Sequence, residues 1–417
     1  MMRKLFGKSV ACLLAVISAV LCAAACGKYV NKTVKATELT AVYSFTNIAG
    51  EVTDDNGIVS GLDNFGVELL KEVLKDKSKP NALVSPLSAF MCLGMVANGA
   101  ENETLAQFEN VLGGNIADIN AFGNKLLNKA DDTVKLADSV WIKNGAVNVE
   151  DDYLKTVKEI YNAEVFRSDF DALTLKDVNN WCSNKTKGMI PEIIDTIEED
   201  DVIYVINALF FDAKWQNEKN QASKRIFTNL DGAQKSVDMF TSNEQTYIDF
   251  GNAQGFLKGY RGGKYSFLGI LPNDGTTIYE FAESLTGEKY FKAMSKRETA
   301  KVSAIIPEFA FDYSANLSEP LASMGIEKAF NSDAEFDKMG RTTYGDKLYL
   351  GYVLQKTRIE LDRNGTKAAA VTIGGMKGES APAPGKEYLI ILDRPFMFGI
   401  VDNATGFPLF LGTVTKL

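Results

Sequence analysis

The last third of the chain is a succession of short apolar runs. They read "KYSFLGILP" at 264–272, "VSAIIPEFAF" at 302–311, "YLIILDRPFMFGIVD" at 388–402 and "FPLFLGTV" at 407–414, with Gly, Asp or Asn between them. Each is too short for a membrane-spanning helix and rich in the β-branched and aromatic residues that favour strands. A strand cannot satisfy its own backbone, so these runs must pair with one another and with whatever precedes them.

What precedes them is largely helical. In "LDNFGVELLKEVLKDK", Leu62, Phe65, Leu69, Leu70, Val73 and Leu74 share one helical face. Ser85 followed by Pro86 is a helix start, and the helix it opens is apolar nearly all round, which predicts deep burial. Tyr153, Val157, Ile160 and Tyr161 mark an amphipathic helix, and "LKDVNNWCSNKTKG" another that stops at Gly188. Residues 202–211 form a continuous apolar run, which predicts a central strand buried on both faces. Helices mostly first and strands mostly last predict an α+β domain with antiparallel sheets and no βαβ repeat. No internal repeat or Pro-rich linker divides residues 58–417, so one large domain is expected there.

Composition excludes several functions. The chain has 417 residues, 46% hydrophobic and 24% charged, enough for a large core. It has no histidine, which removes Ser-His-Asp and Cys-His catalysis, HExxH zinc sites and histidine pH switches. Net charge is −9; residues 1–26 hold Arg3, Lys4 and Lys8 and no acid, so the remainder carries −12, the −9 less these three positive charges. That balance argues against a nucleic-acid partner. "GYRGGKY" and "TIGGMKG" lack phosphate-loop spacing and read as turns, and "IEEDD" at 197–201 lacks the ligand period of a calcium loop. No catalytic residue, metal site or cofactor is expected.

The N-terminus has a basic start, an apolar run at 10–20 and small residues ending in "AAAC" at Cys26. This is a secretory signal pattern over 1–26, and the same four residues resemble a bacterial lipoprotein box that would make Cys26 the lipidated first residue; plain secretion is the alternative. Cys12 and Cys22 leave with the signal, and Cys92, in an apolar helix, reads as a buried free thiol. Residues 27–57, rich in Thr, Asn, Lys and Asp without sustained period, are expected to be a flexible tether.

One stretch fits neither class. "DRNGTKAAAVTIGGMKGES" at 362–380 is too small and flexible to build a core, yet its first half alternates as a buried strand would. It stands just before "IILDRPFMFGI" at 390–400, which fits the serpin signature at every position. "NALVSPLSAFMCLGMVANGA", "NKTKGMIPEIID", "VINALFFDAKW" and "GTKAAAVTI" stand in that family's order. The chain therefore resembles a bacterial serpin over 58–417.

The resemblance implies three β-sheets, about eight or nine helices and an exposed reactive-centre loop that baits serine proteases. It implies a suicide mechanism: an acyl-enzyme forms, and the cut loop inserts into the largest sheet. Gly365 would begin a hinge that also includes Arg363, Thr366, Ala368, Ala369 and Ala370. Thr366, Ala368, Ala370, Thr372 and Gly374 would face inward on insertion, all small and uncharged, with Lys367 on the opposite face. Ser85, Ser88, Asn207 and Gln355 match the family's shutter, and Trp215 its breach. Where the family usually pairs a Glu before the hinge with a Lys, this chain has Arg363 and Glu308, an ion pair with both signs reversed. The family's spacing puts the bait bond fourteen residues beyond Gly365, between Glu379 and Ser380, with Met376, Lys377 and Ala381 as alternatives. The expected partner is a serine protease held as a covalent acyl-enzyme. A monomer is expected, secreted to the outer cell surface, with a membrane reached only through the lipid anchor. A non-inhibitory serpin acting as a surface binding protein is the competing reading.

Overall fold

The computed structural model describes residues 29–47, 58–129, 133–198, 201–217, 220–366 and 386–417. Among them are nine α-helices, Ile58–Val73, Pro86–Ala97, Asn102–Leu112, Ile116–Lys129, Asp151–Tyr161, Ala172–Lys185, Ile278–Ser284, Gly287–Ser295 and Ser318–Met324. In the first of these and just beyond it, Leu62, Phe65, Leu69, Leu70, Val73 and Leu74 are all buried, as their spacing predicts. In Pro86–Ala97 every residue is buried, and Ser85 caps it by accepting from the Ser88 amide.

Hydrogen bonding divides the expected sheets differently from the family pattern. A nine-stranded sheet runs as a path of eight from Glu387–Ile391 to Ala82–Val84, with Ala222–Thr228 paired off that path on the sixteen-residue strand Gln234–Asp249. Two four-stranded sheets form a second layer. One ends in Val134–Lys143 and Ile203–Phe211, paired antiparallel; the other contains Phe309–Asn316, Leu354–Asp362, Gly365–Thr366 and Ala213–Lys214. A two-stranded sheet completes the described set. Val134–Lys143 and Glu164–Ser168 pair parallel, with the helix Asp151–Tyr161 between them. Glu298–Pro307 and Glu387–Ile391 also pair parallel. Both pairs depart from the antiparallel expectation, because intervening chain, a helix in the first case, lets the strand return in the same direction.

Two further expectations are corrected. Ile203–Phe211 is not central in the hydrogen-bonding sense: it pairs with Val134–Lys143 on one edge only. Leu354–Asp362 lies beside its other edge, and no ladder joins the two among the described residues. Apolar composition reports burial of a strand's faces and says nothing about its edges.

The tether expected over 27–57 is corrected for residues 29–47, which dock on the domain. Thr37–Glu38 adds an antiparallel strand to the edge strand Glu164–Ser168. The Lys35 and Ala36 amides both donate to Asp177 Oδ2 at 2.8 Å, and the Tyr29 hydroxyl lies 2.8 Å from Ser183 Oγ. An unpaired sheet edge attracts backbone whatever the side chains, so hydrophobic periodicity gives no sign of such docking.

Candidate functional site

The unladdered seam between Ile203–Phe211 and Leu354–Asp362 is the feature around which the family-derived residues gather. At its head the chain leaves Leu354–Asp362, turns through Arg363 and Asn364, and returns antiparallel as Gly365–Thr366. This short strand also pairs with Ala213–Lys214, so it sits between two strands as the first step of an added one. A side chain at Gly365 would put a Cβ 2.2 Å from the Ala213 carbonyl oxygen, so the close approach requires glycine. Asp362 Oδ1 accepts from the Asn364 amide at 2.6 Å and the Gly365 amide at 3.0 Å, which sets the turn.

Thr366 is 3% exposed, and its hydroxyl shares a 2.6 Å hydrogen bond with the Tyr260 hydroxyl. Its side chain therefore points inward, the face that alternation assigns to it. Tyr260 stacks on Trp215 with centroids 4.5 Å apart and planes 12° apart. Trp215 is fully buried; its Nε1 donates to the Asp362 carbonyl at 2.8 Å and its amide to the Asn364 carbonyl at 3.1 Å. Trp215 thus holds the hinge turn by two bonds to main-chain oxygens, one from its indole and one from its backbone amide. Behind it, Lys258 Nζ lies 4.9 Å from the ring centroid and donates to Ser242 Oγ at 2.5 Å and Glu244 Oε1 at 3.2 Å. Burial pushes the Lys258 ammonium down and the Glu244 carboxyl up from their ordinary ranges.

Glu308 and Arg363 meet in the sign-reversed sense. Arg363 Nε lies 2.6 Å from Glu308 Oε1 and Nη2 3.1 Å from Oε2, and the Arg363 amide donates to Oε1 at 3.1 Å. Hydrogen bonding to Glu308, with smaller help from Asp238 and Asp362, holds the guanidinium in its charged form. Arg363→Glu would place a fourth carboxylate among these three. It is expected to lower the urea midpoint and speed oligomer formation, and adding Glu308→Lys should restore much of the loss. Strictly additive effects of the two changes would show that the pair is uncoupled.

Lower in the seam, one helix turn grips both lips. From the Leu354–Asp362 side, the Gln355 side chain clasps Ser85: Oε1 accepts the Ser85 amide at 2.9 Å and Nε2 donates to the Ser85 carbonyl at 3.0 Å. Ser85 Oγ donates to the Leu409 carbonyl at 2.7 Å. From the Ile203–Phe211 side, Asn207 Oδ1 accepts from Ser88 Oγ, and Asn207 Nδ2 donates to Asp138 Oδ1 at 2.6 Å. All five polar side chains are buried. Closed, the seam is bridged by Gln355–Ser85 and Ser88–Asn207, and separating its lips must break one of these contacts.

The structure thus brings together Ser85, Ser88, Asn207 and Gln355 in one network, and Trp215, Thr366, Gly365, Arg363 and Glu308 at the head of the seam. Cys26 and the loop residues Ala368, Ala369, Ala370, Met376, Lys377, Glu379, Ser380 and Ala381 lie outside the described residues. Cys92 and Cys182 are both buried and free, and burial pushes their thiols up, that of Cys182 to about 12. Sequence reading missed Asp138, Tyr260, Lys258 and Glu244. The one available signal was a charge inside an apolar strand run, Asp138 in "VKLADSVWIK" at 134–143.

Comparison with known proteins agrees with this geometry. The family model described as Serpin (serine protease inhibitor) matches residues 60–417. The structure of a thermophilic serpin, Tengpin, in the native state is 37% identical, covering 92% of this chain and all of that one, with a TM-score of 0.84. Tengpin in the latent state gives 0.76 at 36% identity, over 88% of this chain and all of that one. Glia-derived nexin of Mus musculus is 29% identical over 376 residues, 85% of this chain and 92% of that protein.

Proposed function

The chain belongs to the serpin family, and from that premise we propose that it inhibits serine proteases by the suicide route. In this reading the protease's serine oxygen attacks the carbonyl of the bait residue. The peptide C–N bond breaks, and the new amine leaves with a proton. The chain is then held to the protease by an ester that water would ordinarily hydrolyse. Entry of the cut loop into the seam competes with that hydrolysis by dragging the bait residue and the attached protease along with it, which distorts the site that would hydrolyse the ester.

The observation that carries the reading is the short strand Gly365–Thr366, already paired on both sides at the head of an unladdered seam. It supplies a nucleus for strand addition, and the inward residues that follow in sequence are small and uncharged. About a dozen residues gaining sheet hydrogen bonds at ~1 kcal/mol each would release on the order of 10 kcal/mol. That is comparable with the whole stability of a domain, so the uncut state is held kinetically. The bait bond of this reading is Glu379–Ser380. The same reading keeps the chain outside the cell, tethered through Cys26.

Incubation with a panel of serine proteases tests the proposal. A band resistant to denaturant at the summed mass, with a released C-terminal peptide beginning at Ser380, is the expected result. Release beginning at Gly378 would move the bait residue to Lys377 and leave the mechanism intact. Cleavage in the loop with no covalent band from any protease would overturn inhibition in favour of a non-inhibitory binding role.

A further inference from the structure

Asp138 is the one member of the seam's polar network that can titrate, and nothing in the proposed mechanism uses it. It lies on Val134–Lys143 directly opposite Asn207 and is 1% exposed. Oδ1 accepts from Asn207, whereas Oδ2 is buried with no hydrogen-bond partner. The titratable groups whose charge acts on it among the described residues are Cys92 on Pro86–Ala97 and Tyr161 on Asp151–Tyr161, with Tyr153 beside Cys92, all acids that cannot offset a negative charge. A buried carboxylate with one orphaned oxygen and no cation is costly, and the neutral acid is the form that suits the site.

We infer that Asp138 makes the seam a proton-sensitive lock: neutral Asp138 holds the Ser88–Asn207 side closed, and its ionisation favours opening. The inference rests on the reading that the seam opens to admit the loop. Asn207 is the link, since it donates to Asp138 and accepts from Ser88, so the carboxyl's charge state acts on the contact that joins the sheet to the helix. Burial pushes the Asp138 carboxyl up to about 7, against the opposing hydrogen bond from Asn207. The closed state therefore binds the proton more tightly than any state that lets water reach the group. That advantage is complete below the ordinary carboxylate range and is lost as pH rises toward 7. Opening accelerates in the same direction, because a hydrated carboxyl in the opening transition state has a lower pKa than the closed one.

Hydrogen exchange of the intact protein without any protease tests this. Amides of 203–211 and 354–362 are followed from about pH 5 to about pH 8.5 and corrected for intrinsic exchange. In the wild type the opening rate is expected to rise about tenfold or more, the factor for a one-unit difference in pKa between closed and opened states. Asp138→Asn, which mimics the neutral acid, should exchange slowly with a flat profile. A flat wild-type profile, or an equal slope in Asp138→Asn, overturns the inference. If Asp138→Asn does not fold, Asp138→Ser serves as the second variant, and the wild-type profile remains decisive alone. A pH-dependent seam in a chain that traps no protease would strike the inhibitor reading and leave the lock standing.

Discussion

Thr366→Arg is expected to turn the chain from a trap into a substrate: the target protease still cuts the loop, and the covalent band falls by about a hundredfold. Thr366 is the first inward side chain of the added strand, 3% exposed between Leu354–Asp362 and Ala213–Lys214, with its hydroxyl bonded to Tyr260. A guanidinium there must lose its water where the Thr366 hydroxyl now meets Tyr260. Burying an unpaired cation costs several kcal/mol, so in the uncut variant the Arg side chain is expected to leave the sheet and insertion must bury it; about 2.7 kcal/mol at that step already shifts the partition a hundredfold. Hydrolysis of the acyl-enzyme then outruns strand addition, and active protease returns with the cleaved chain. Thr366→Ser keeps the small hydroxyl and should trap as the wild type does. The measurements are the inhibitor-to-protease ratio at complete inhibition and the intensity of the covalent band. An Arg variant that traps one-to-one would mean that insertion does not proceed through this position.

The parts legible in the sequence were those that repeat along one segment. Period 3.6 marks Leu62, Phe65, Leu69, Leu70, Val73 and Leu74, all buried, and Ser85–Pro86 marks a helix start that is capped as expected. Alternation assigns Thr366 inward, where its hydroxyl meets Tyr260. The reversed pair of Glu308 and Arg363 was legible for another reason. Two charges exchanged together at positions the family keeps complementary still attract, and the bidentate contact is there.

What was not legible depends on lateral neighbours. A strand's composition says how its faces are buried, so residues 202–211 read as central although one edge carries no ladder. That unpaired edge is where the proposed function resides. Residues 29–47 read as a tether because backbone pairing to an edge strand and two amides on Asp177 need no apolar pattern. Tyr260, read as part of a turn in "GYRGGKY", is fully buried between Trp215 and Thr366, which come from distant parts of the chain. Asp138 is the sharper case. The shutter residues read from the sequence, Ser85, Ser88, Asn207 and Gln355, hold nothing that titrates, yet Asp138, two hydrogen bonds from Ser88 through Asn207, brings a titratable group from the neighbouring strand.

Trp215→Ala is expected to be the most destabilising single change at the head of the seam, costing about 3–5 kcal/mol. The indole is fully buried and stacked on Tyr260, with the edges of Phe267 and the tilted ring of Phe240 around it. Truncation leaves a cavity and removes the π-face beneath Lys258, whose ammonium is already disfavoured by burial. It also deletes the Nε1 bond to the Asp362 carbonyl, one of the two through which Trp215 holds the turn leading into Gly365. The amide bond to Asn364 survives, so the turn should loosen without dissolving. Trp215→Phe retains part of the packing and loses the same Nε1 bond, which alone is worth about 1 kcal/mol. Its urea midpoint should fall between those of the wild type and the Ala variant. Amide exchange at 363–366 should rise in both variants, because both lack the donor to Asp362. A Trp215→Ala protein whose urea midpoint stays close to the wild type's would show that the aromatic stack does not carry the hinge. In that case the anchoring of Gly365–Thr366 would fall to the Glu308–Arg363 pair and the turn-setting carboxylate of Asp362.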